Sequence, residues 1–226
     1  MGKAMALFLA RKGYSIAIHY NHSDVEARAL AKELLCHYPS QRFCTFQANM
    51  EDLPKVEGLM DEIERRMGIP NLLINNASIF EAGSIAETRL ELLERMMTVN
   101  FTAPFLLMQD FSRRQTNGVI VNIADCRIMK NNSAHSAYTL SKKALWELTK
   151  MAAVEFAPSV RVNALAPGLV LPPEGKDENY LKQLAGNIPL RRPGGMDPVL
   201  KSLDYILGND YLTGQLLFCD GGENLI

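Results

Sequence analysis

The sequence has no apolar run approaching the ~18 residues a membrane-spanning helix needs, and no charged-then-apolar leader before a small-residue cleavage site. The cytoplasm is therefore the expected compartment. Cysteine is scarce: Cys36, Cys44, Cys126 and Cys219 show no C-x-x-C spacing, and His19, His22, His37 and His135 complete no metal-ligand pattern with them. Free thiols and no metal are expected. Neither sign of charge is in excess, at a formal net charge of -1, and basic residues fall in scattered pairs such as Arg65-Arg66, Arg113-Arg114 and Arg191-Arg192. That pattern predicts no nucleic-acid footprint and no membrane surface contact. No internal repeat or low-complexity segment interrupts the chain. A length of 226 residues suits one sizeable core and is short for two, so residues 1–226 read as a single domain.

What is present is an alternation. Helix formers from Ala4 to Lys12 stop at Gly13, and YSIAIHY (14–20) reads as a strand. Ser23 or Asp24 caps a helix through VEARALAKELL, and RFCTFQA (42–48) is the next strand. A helix over Leu53 to Met67, the strand NLLINNA (71–77), a long helical region from about Ala86 to Arg114 and the strand GVIVNIA (118–124) follow. Then come a helix containing SAYTLSKKALWELTK, the strand VRVNALA (160–166), a Pro- and Gly-rich loop, two short helices and a last strand, QLLFCD (215–220). Continuous apolar strands alternating with helices predict an α/β fold with a parallel sheet covered on both faces. In such sheets ligands bind beyond the carboxyl ends of the strands, so the residues just after each strand are the candidates for function.

Those strand ends read YNHSD, NNASIF, ADCR and APGLV. Tyr138 and Lys142, four apart in a helix, project from one face one turn apart. A Tyr-x-x-x-Lys pair alone is weak evidence. In this order, and with the terminal YLTGQLLFCDGG, the set resembles the short-chain dehydrogenase/reductase family over nearly the whole chain. The resemblance implies a Rossmann-like doubly wound parallel sheet, a nicotinamide cofactor and a homotetramer formed through the helices after NLLINNA and GVIVNIA. It assigns catalysis to Tyr138, Lys142 and Asn100, with Lys142 also holding the cofactor ribose, and Asn100 holding a water linked to Lys142. Asn76, Ala77, Pro167, Gly168 and Val170 fall to the cofactor. The usual catalytic serine, thirteen residues before the tyrosine, is Asp125 here.

An aspartate there, with NNAS and an aromatic two residues on, is similar to the pteridine reductase branch, which includes dihydrobiopterin, dihydrofolate and dihydromonapterin reductases. Ser78, Phe80, Asp125 and Tyr138 then hold the substrate. An ionised carboxylate only accepts hydrogen bonds, which suits the amino and N–H groups of a pterin better than a ketone oxygen. The plain alternatives are that Asp125 caps the loop after its strand, that Phe80 packs on the core and that Asn100 marks a helix kink. A tyrosine hydroxyl of pKa ~10 relays protons poorly at neutral pH unless a cation favours its phenolate, and Lys142 is expected to be that cation. The expected function is NADPH-dependent reduction of a pterin. The competing readings are a carbonyl reductase of the 3-oxoacyl carrier-protein type and a catalytically silent binding protein. Tyr20, Asn21, His22 and Ser23 occupy the place where NAD-preferring enzymes carry an acid, and His22 with Ser23 suits a 2′-phosphate, which favours NADPH. The loop 169–194 has the length and polarity of a lid.

The family also opens with a strand and a Thr-Gly-x-x-x-Gly-x-Gly turn that receives the cofactor pyrophosphate. This sequence begins MGKAMALFLARKG, with Gly2 at the last glycine of that turn and Lys3 at the start of the helix. The expectation is a sheet lacking its first, central strand, completed by upstream residues on the order of 10–15 in number. A true short form that closes its sheet differently and binds cofactor weakly is the alternative.

Overall fold

The computed structural model describes residues 1–172 and 177–226. Helix α1 (Gly2–Arg11) leads to β1 (Ile16–Tyr20), α2 (Asp24–His37), β2 (Phe43–Gln47), α3 (Leu53–Glu57), α4 (Leu59–Met67) and β3 (Leu72–Asn75). Next are α5 (Leu90–Met97), a π-turn (Thr98–Thr102), α6 (Ala103–Arg113), β4 (Gly118–Ile123), a 3₁₀ turn (Cys126–Met129) and α7 (Ser136–Glu155). The chain closes with β5 (Val160–Pro167), α8 (Glu178–Ala185), α9 (Met196–Gly208), β6 (Leu216–Cys219) and a 3₁₀ turn (Glu223–Leu225).

The strands form parallel ladders in the orders β1-β2 and β3-β4-β5-β6. Among the described residues no ladder joins β1 to β3. A cavity of ≈ 560 Å³, lined in part by Ala17, Ile63, Met67 and Asn71, opens at the start of those two strands. Alternation along β4 sends Ile120 to one face and Val121 and Ile123 to the other. Ile120 packs with Val162, Met60, Met108 and Phe111 from α4 and α6. Val121 and Ile123 pack with Leu165, Met5 of α1, and Leu203 and Ile206 of α9. Helices thus cover both faces, which is why β4 and β5 are continuous in apolar residues. A third cluster joins Ala6 and Ala10 of α1 to Ile18 of β1 and Leu30 and Leu34 of α2.

Two helical expectations change in detail. The segment from Leu53 to Met67 divides at Gly58, and the long region from about Ala86 begins only at Leu90 and carries the π-turn. Pro104, in the first turn of α6, has no N–H to give the carbonyl of Asn100, so the regular helical bond is lost there. The lid expected over 169–194 includes residues 173–176, which lie outside the described residues.

Candidate active site

The end of β4 builds the floor. Ala124 continues the β4–β5 pairing through its N–H to the Leu165 carbonyl (2.7 Å), after which the chain turns at Asp125. Asp125 Oδ1 accepts the Arg127 N–H (2.8 Å), capping the 3₁₀ turn, while Oδ2 accepts the Tyr138 hydroxyl (2.8 Å). The loop-capping role and the contact with the tyrosine therefore coexist, one carboxylate oxygen for each. Along α7 the buried side chains Tyr138 and Lys142 face this floor, and Lys142 Nζ donates to the Ile123 carbonyl (2.8 Å). Nζ stands 5.9 Å from the centre of the Tyr138 ring.

Burial, reinforced by the neighbouring Asp125 carboxylate, raises the Tyr138 phenol well above its ordinary range, against a smaller opposing effect of Arg127. Burial lowers Lys142 to about 8, although Asp125 favours its charge. In this arrangement the charge acting most on the phenol is the Asp125 carboxylate, which opposes its ionisation. The hydroxyl gives its hydrogen to a carboxylate, a bond that only the protonated phenol can make.

Asn100 sits in the π-turn, fully buried, and organises the wall. Its Oδ1 accepts from the Ser78 hydroxyl and the Ile79 N–H (3.0 Å each), and its Nδ2 donates to the Ile79 carbonyl and Ser141 Oγ (3.0 Å each). Ser141 in turn donates to the Tyr138 carbonyl (2.7 Å). The side-chain amide is saturated by protein, so a water linked to Lys142 would fall to the Asn100 backbone carbonyl, which Pro104 leaves without its regular helical bond. Ser78 is directed at Asn100 by the same bond.

Phe80 is 45 % exposed and is not a core aromatic. It stacks on His135 (4.5 Å, 17°), meets Tyr138 edge-on (4.7 Å, 89°) and carries the Arg127 guanidinium 4.9 Å from its centre. The loop bearing it is pinned to the start of α7: the Gly83 N–H donates to the Ala134 carbonyl, and the Ser136 N–H to the Gly83 carbonyl (2.9 Å each). Arg127, His135 and Ser141 were not singled out from sequence. ADCR did stand at a strand end, and its arginine was the available signal.

The residues assigned to the cofactor gather at the ends of β1, β3 and β5. Gly2 opens α1 beside Asn76; a Cβ on Gly2 would lie 3.2 Å from Asn76 Nδ2. The buried oxygens Asn76 Oδ1 and Asn21 Oδ1 have no hydrogen-bond partner among the described residues. His22 and Ser23 are exposed at the start of α2, and the Ser23 hydroxyl makes no capping bond. Asp24 is occupied: it accepts the Tyr20 hydroxyl (2.6 Å) and Arg28 Nε (2.8 Å). Ala77 packs against the core. Pro167 closes β5, and Gly168 passes so near β6 that a Cβ would fall 2.8 Å from Asp220 Cα. Val170 turns its side chain into the core beside Met5 and Leu203, leaving only its backbone for a ligand.

No helix among the described residues is long and apolar enough to cross a membrane, and no group of three or more candidate ligands there could hold a metal ion.

The family described as enoyl-(acyl carrier protein) reductase matches residues 1–224. A human 3-oxoacyl-[acyl-carrier-protein] reductase is 32 % identical over 232 residues, covering 100 % of this chain and 94 % of its own length. An uncharacterized oxidoreductase of Escherichia coli (strain K12) is 31 % identical, covering 98 % and 90 %. Among solved structures, the alternative dihydrofolate reductase 1 of Brucella suis, in complex with NADP, superimposes with a TM-score of 0.92 at 34 % identity, over 99 % of this chain and 90 % of that one. A blue fluorescent protein from a metagenomic library, in complex with NADPH, gives 0.88 at 27 % identity, over 97 % and 91 %.

Proposed function

This chain belongs to the short-chain dehydrogenase/reductase family, and from that membership we propose that it is an NADPH-dependent reductase of a pterin-type substrate: a dihydropteridine, dihydromonapterin or dihydrofolate. The observation that carries this reading is the Asp125 carboxylate bonded to the Tyr138 hydroxyl, with Phe80 set edge-on to the tyrosine. An acceptor-only group beside the proton donor suits a ring that presents amino and N–H groups, and an exposed aromatic suits a flat ring.

The residues present fit NADPH. Buried acceptors without partners, Asn21 Oδ1 and Asn76 Oδ1, await donors such as ribose hydroxyls or the adenine amino group. Ser23 and His22 at the α2 N-terminus suit a 2′-phosphate, and the acid nearest to them, Asp24, is held by Tyr20 and Arg28 rather than free for ribose hydroxyls. Held by these residues, NADPH would supply the hydride for the carbon of the substrate C=N bond. The nitrogen of that bond gains an electron pair and takes the proton of the Tyr138 hydroxyl. With its pKa raised, Tyr138 keeps that proton through the neutral range and yields it only to a strong base. Asp125 holds the hydroxyl in line, and the Lys142 ammonium offsets the phenolate left behind until solvent restores its proton.

A second reading, reduction of a 3-oxoacyl thioester, is favoured by the human relative. An NADPH-oxidation screen of dihydrobiopterin, dihydromonapterin, dihydrofolate and acetoacetyl thioesters separates the two, and NADPH binding without oxidation of any substrate would leave a silent binding protein. Tyr138→Phe is expected to lower kcat at least ~10²-fold with little change in NADPH affinity. Comparable turnover in the variant would remove Tyr138 from the mechanism. A cytoplasmic homotetramer completes the proposal, supported by exposed apolar side chains on α5 to α7, among them Leu93, Phe105, Met151 and Val154.

A further inference from the structure

We infer that Arg127 is a specificity residue that binds a carboxylate on the side chain of the substrate, so that acidic pterins are preferred over neutral ones. The inference rests on the pterin reading for the ring, but the carboxylate is argued from other observations.

Arg127 is half-buried, and its backbone is fixed by the bond from its N–H to Asp125 Oδ1. Its guanidinium lies over the Phe80 ring. Among the described residues it forms no side-chain hydrogen bond or ion pair. Arg114 by contrast meets Asp61, Glu64 and Asp110, and Arg95 meets Glu51 and Glu81, while other arginines without such a partner, such as Arg65 and Arg113, are exposed. Of the nearby acids, Asp125 serves Tyr138 and the Arg127 backbone, and Glu223 gives one oxygen to Lys130 at 3.3 Å while its Oε2 lies buried with no partner among the described residues; neither bonds the Arg127 guanidinium.

Arg127 lines a cavity of ≈ 460 Å³ together with Lys130, Asn132, His135, Thr139 and Glu223. His135 and Thr139 are part of its lining, so it lies alongside the turn of α7 that carries Tyr138. Its size suits a ring substituent. A half-desolvated guanidinium stacked on an aromatic presents a fixed fork of donors, the geometry that carboxylates meet with two parallel bonds. A pterin ring is itself neutral, so the charge has to come from its side chain. His135 does not supply a second cation at neutral pH, because burial and then Arg127 lower its pKa.

The test is equilibrium binding, read by fluorescence, of folate, biopterin and p-aminobenzoyl-glutamate to the wild type, Arg127→Gln and Arg127→Lys. Folate carries the carboxylate on a pterin, biopterin has a neutral side chain, and p-aminobenzoyl-glutamate has the carboxylate without a pterin. Arg127→Gln is expected to weaken folate and p-aminobenzoyl-glutamate about tenfold or more, and biopterin less than about twofold. Arg127→Lys should fall between, keeping the charge and losing the fork. Equal changes for folate and biopterin, or no change for either, would overturn the assignment whatever the turnover assays give. Arg127-dependent binding of p-aminobenzoyl-glutamate in a protein that reduces no dihydropterin would uphold the carboxylate site and defeat the ring reading instead. Unchanged thermal midpoints exclude misfolding as the cause.

Discussion

Replacing Lys142 with methionine is expected to stabilise the cofactor-free protein at neutral pH and to abolish turnover. Lys142 is 2 % exposed, and among the described residues its ammonium meets one protein acceptor, the Ile123 carbonyl. Burial lowers its pKa from 10.5 to about 8, a difference that corresponds to roughly 3 kcal/mol against the charged form in the folded protein. Because the folded value lies below the unfolded one, the unfolded chain binds the proton more tightly. The wild type therefore carries this full cost below about pH 8 and is relieved of it as the pH rises through 10.5, above which the amine is neutral in both states. Methionine has a similar length and no proton to lose. Against it stands the lost bond to the Ile123 carbonyl, worth about 1 kcal/mol. The net gain for Lys142→Met is then about 1–2 kcal/mol at pH 7, or several degrees in Tm for a chain of this size. Urea unfolding of both proteins at pH 7, 8, 9 and 10 measures it. The advantage should shrink steadily across that range and vanish or reverse near its top. A difference that is flat with pH would refute the account, because it would mean that the ammonium is solvated in the folded state.

Two further perturbations address the rest of the site. Asp125→Asn keeps an acceptor for the Arg127 N–H but sets an amide where the Tyr138 hydroxyl donates; kcat on a dihydropterin should fall ~10²-fold, while urea unfolding shows stability little changed. Retained turnover would reduce Asp125 to its capping role. Asn100→Ala removes four hydrogen bonds to oxygen and nitrogen partners, and a weak one to Met96 Sδ, made by one buried amide, and should cost roughly 2–4 kcal/mol in urea unfolding and raise KM as the Ser78–Phe80 segment loosens. A loss of stability with KM unchanged would show that this segment does not contact the substrate.

Periodicity along the chain was enough to read the architecture. The apolar run of β4, the helix-period spacing of Tyr138 and Lys142 and the glycine that stops α1 are local features, because a strand repeats every two residues and a helix every 3.6 whatever surrounds them. The ordered strand ends pointed to the region where chemistry is expected, and Asp125 stands out because the resembled family carries a serine at its place. Local pattern did less well where the backbone departs from regularity, at Gly58 and in the π-turn beside Pro104. Three features belong to the packed chain only. The Gly83 bridge to the start of α7 brings Phe80 to His135, Arg127 and Tyr138, joining segments some fifty residues apart in sequence. The Tyr138 proton points at Asp125, and Lys142 is driven down toward neutrality. Those outcomes follow from desolvation and from the direction of single hydrogen bonds, which residue type and spacing do not encode and which exist only once the helices have closed over the sheet.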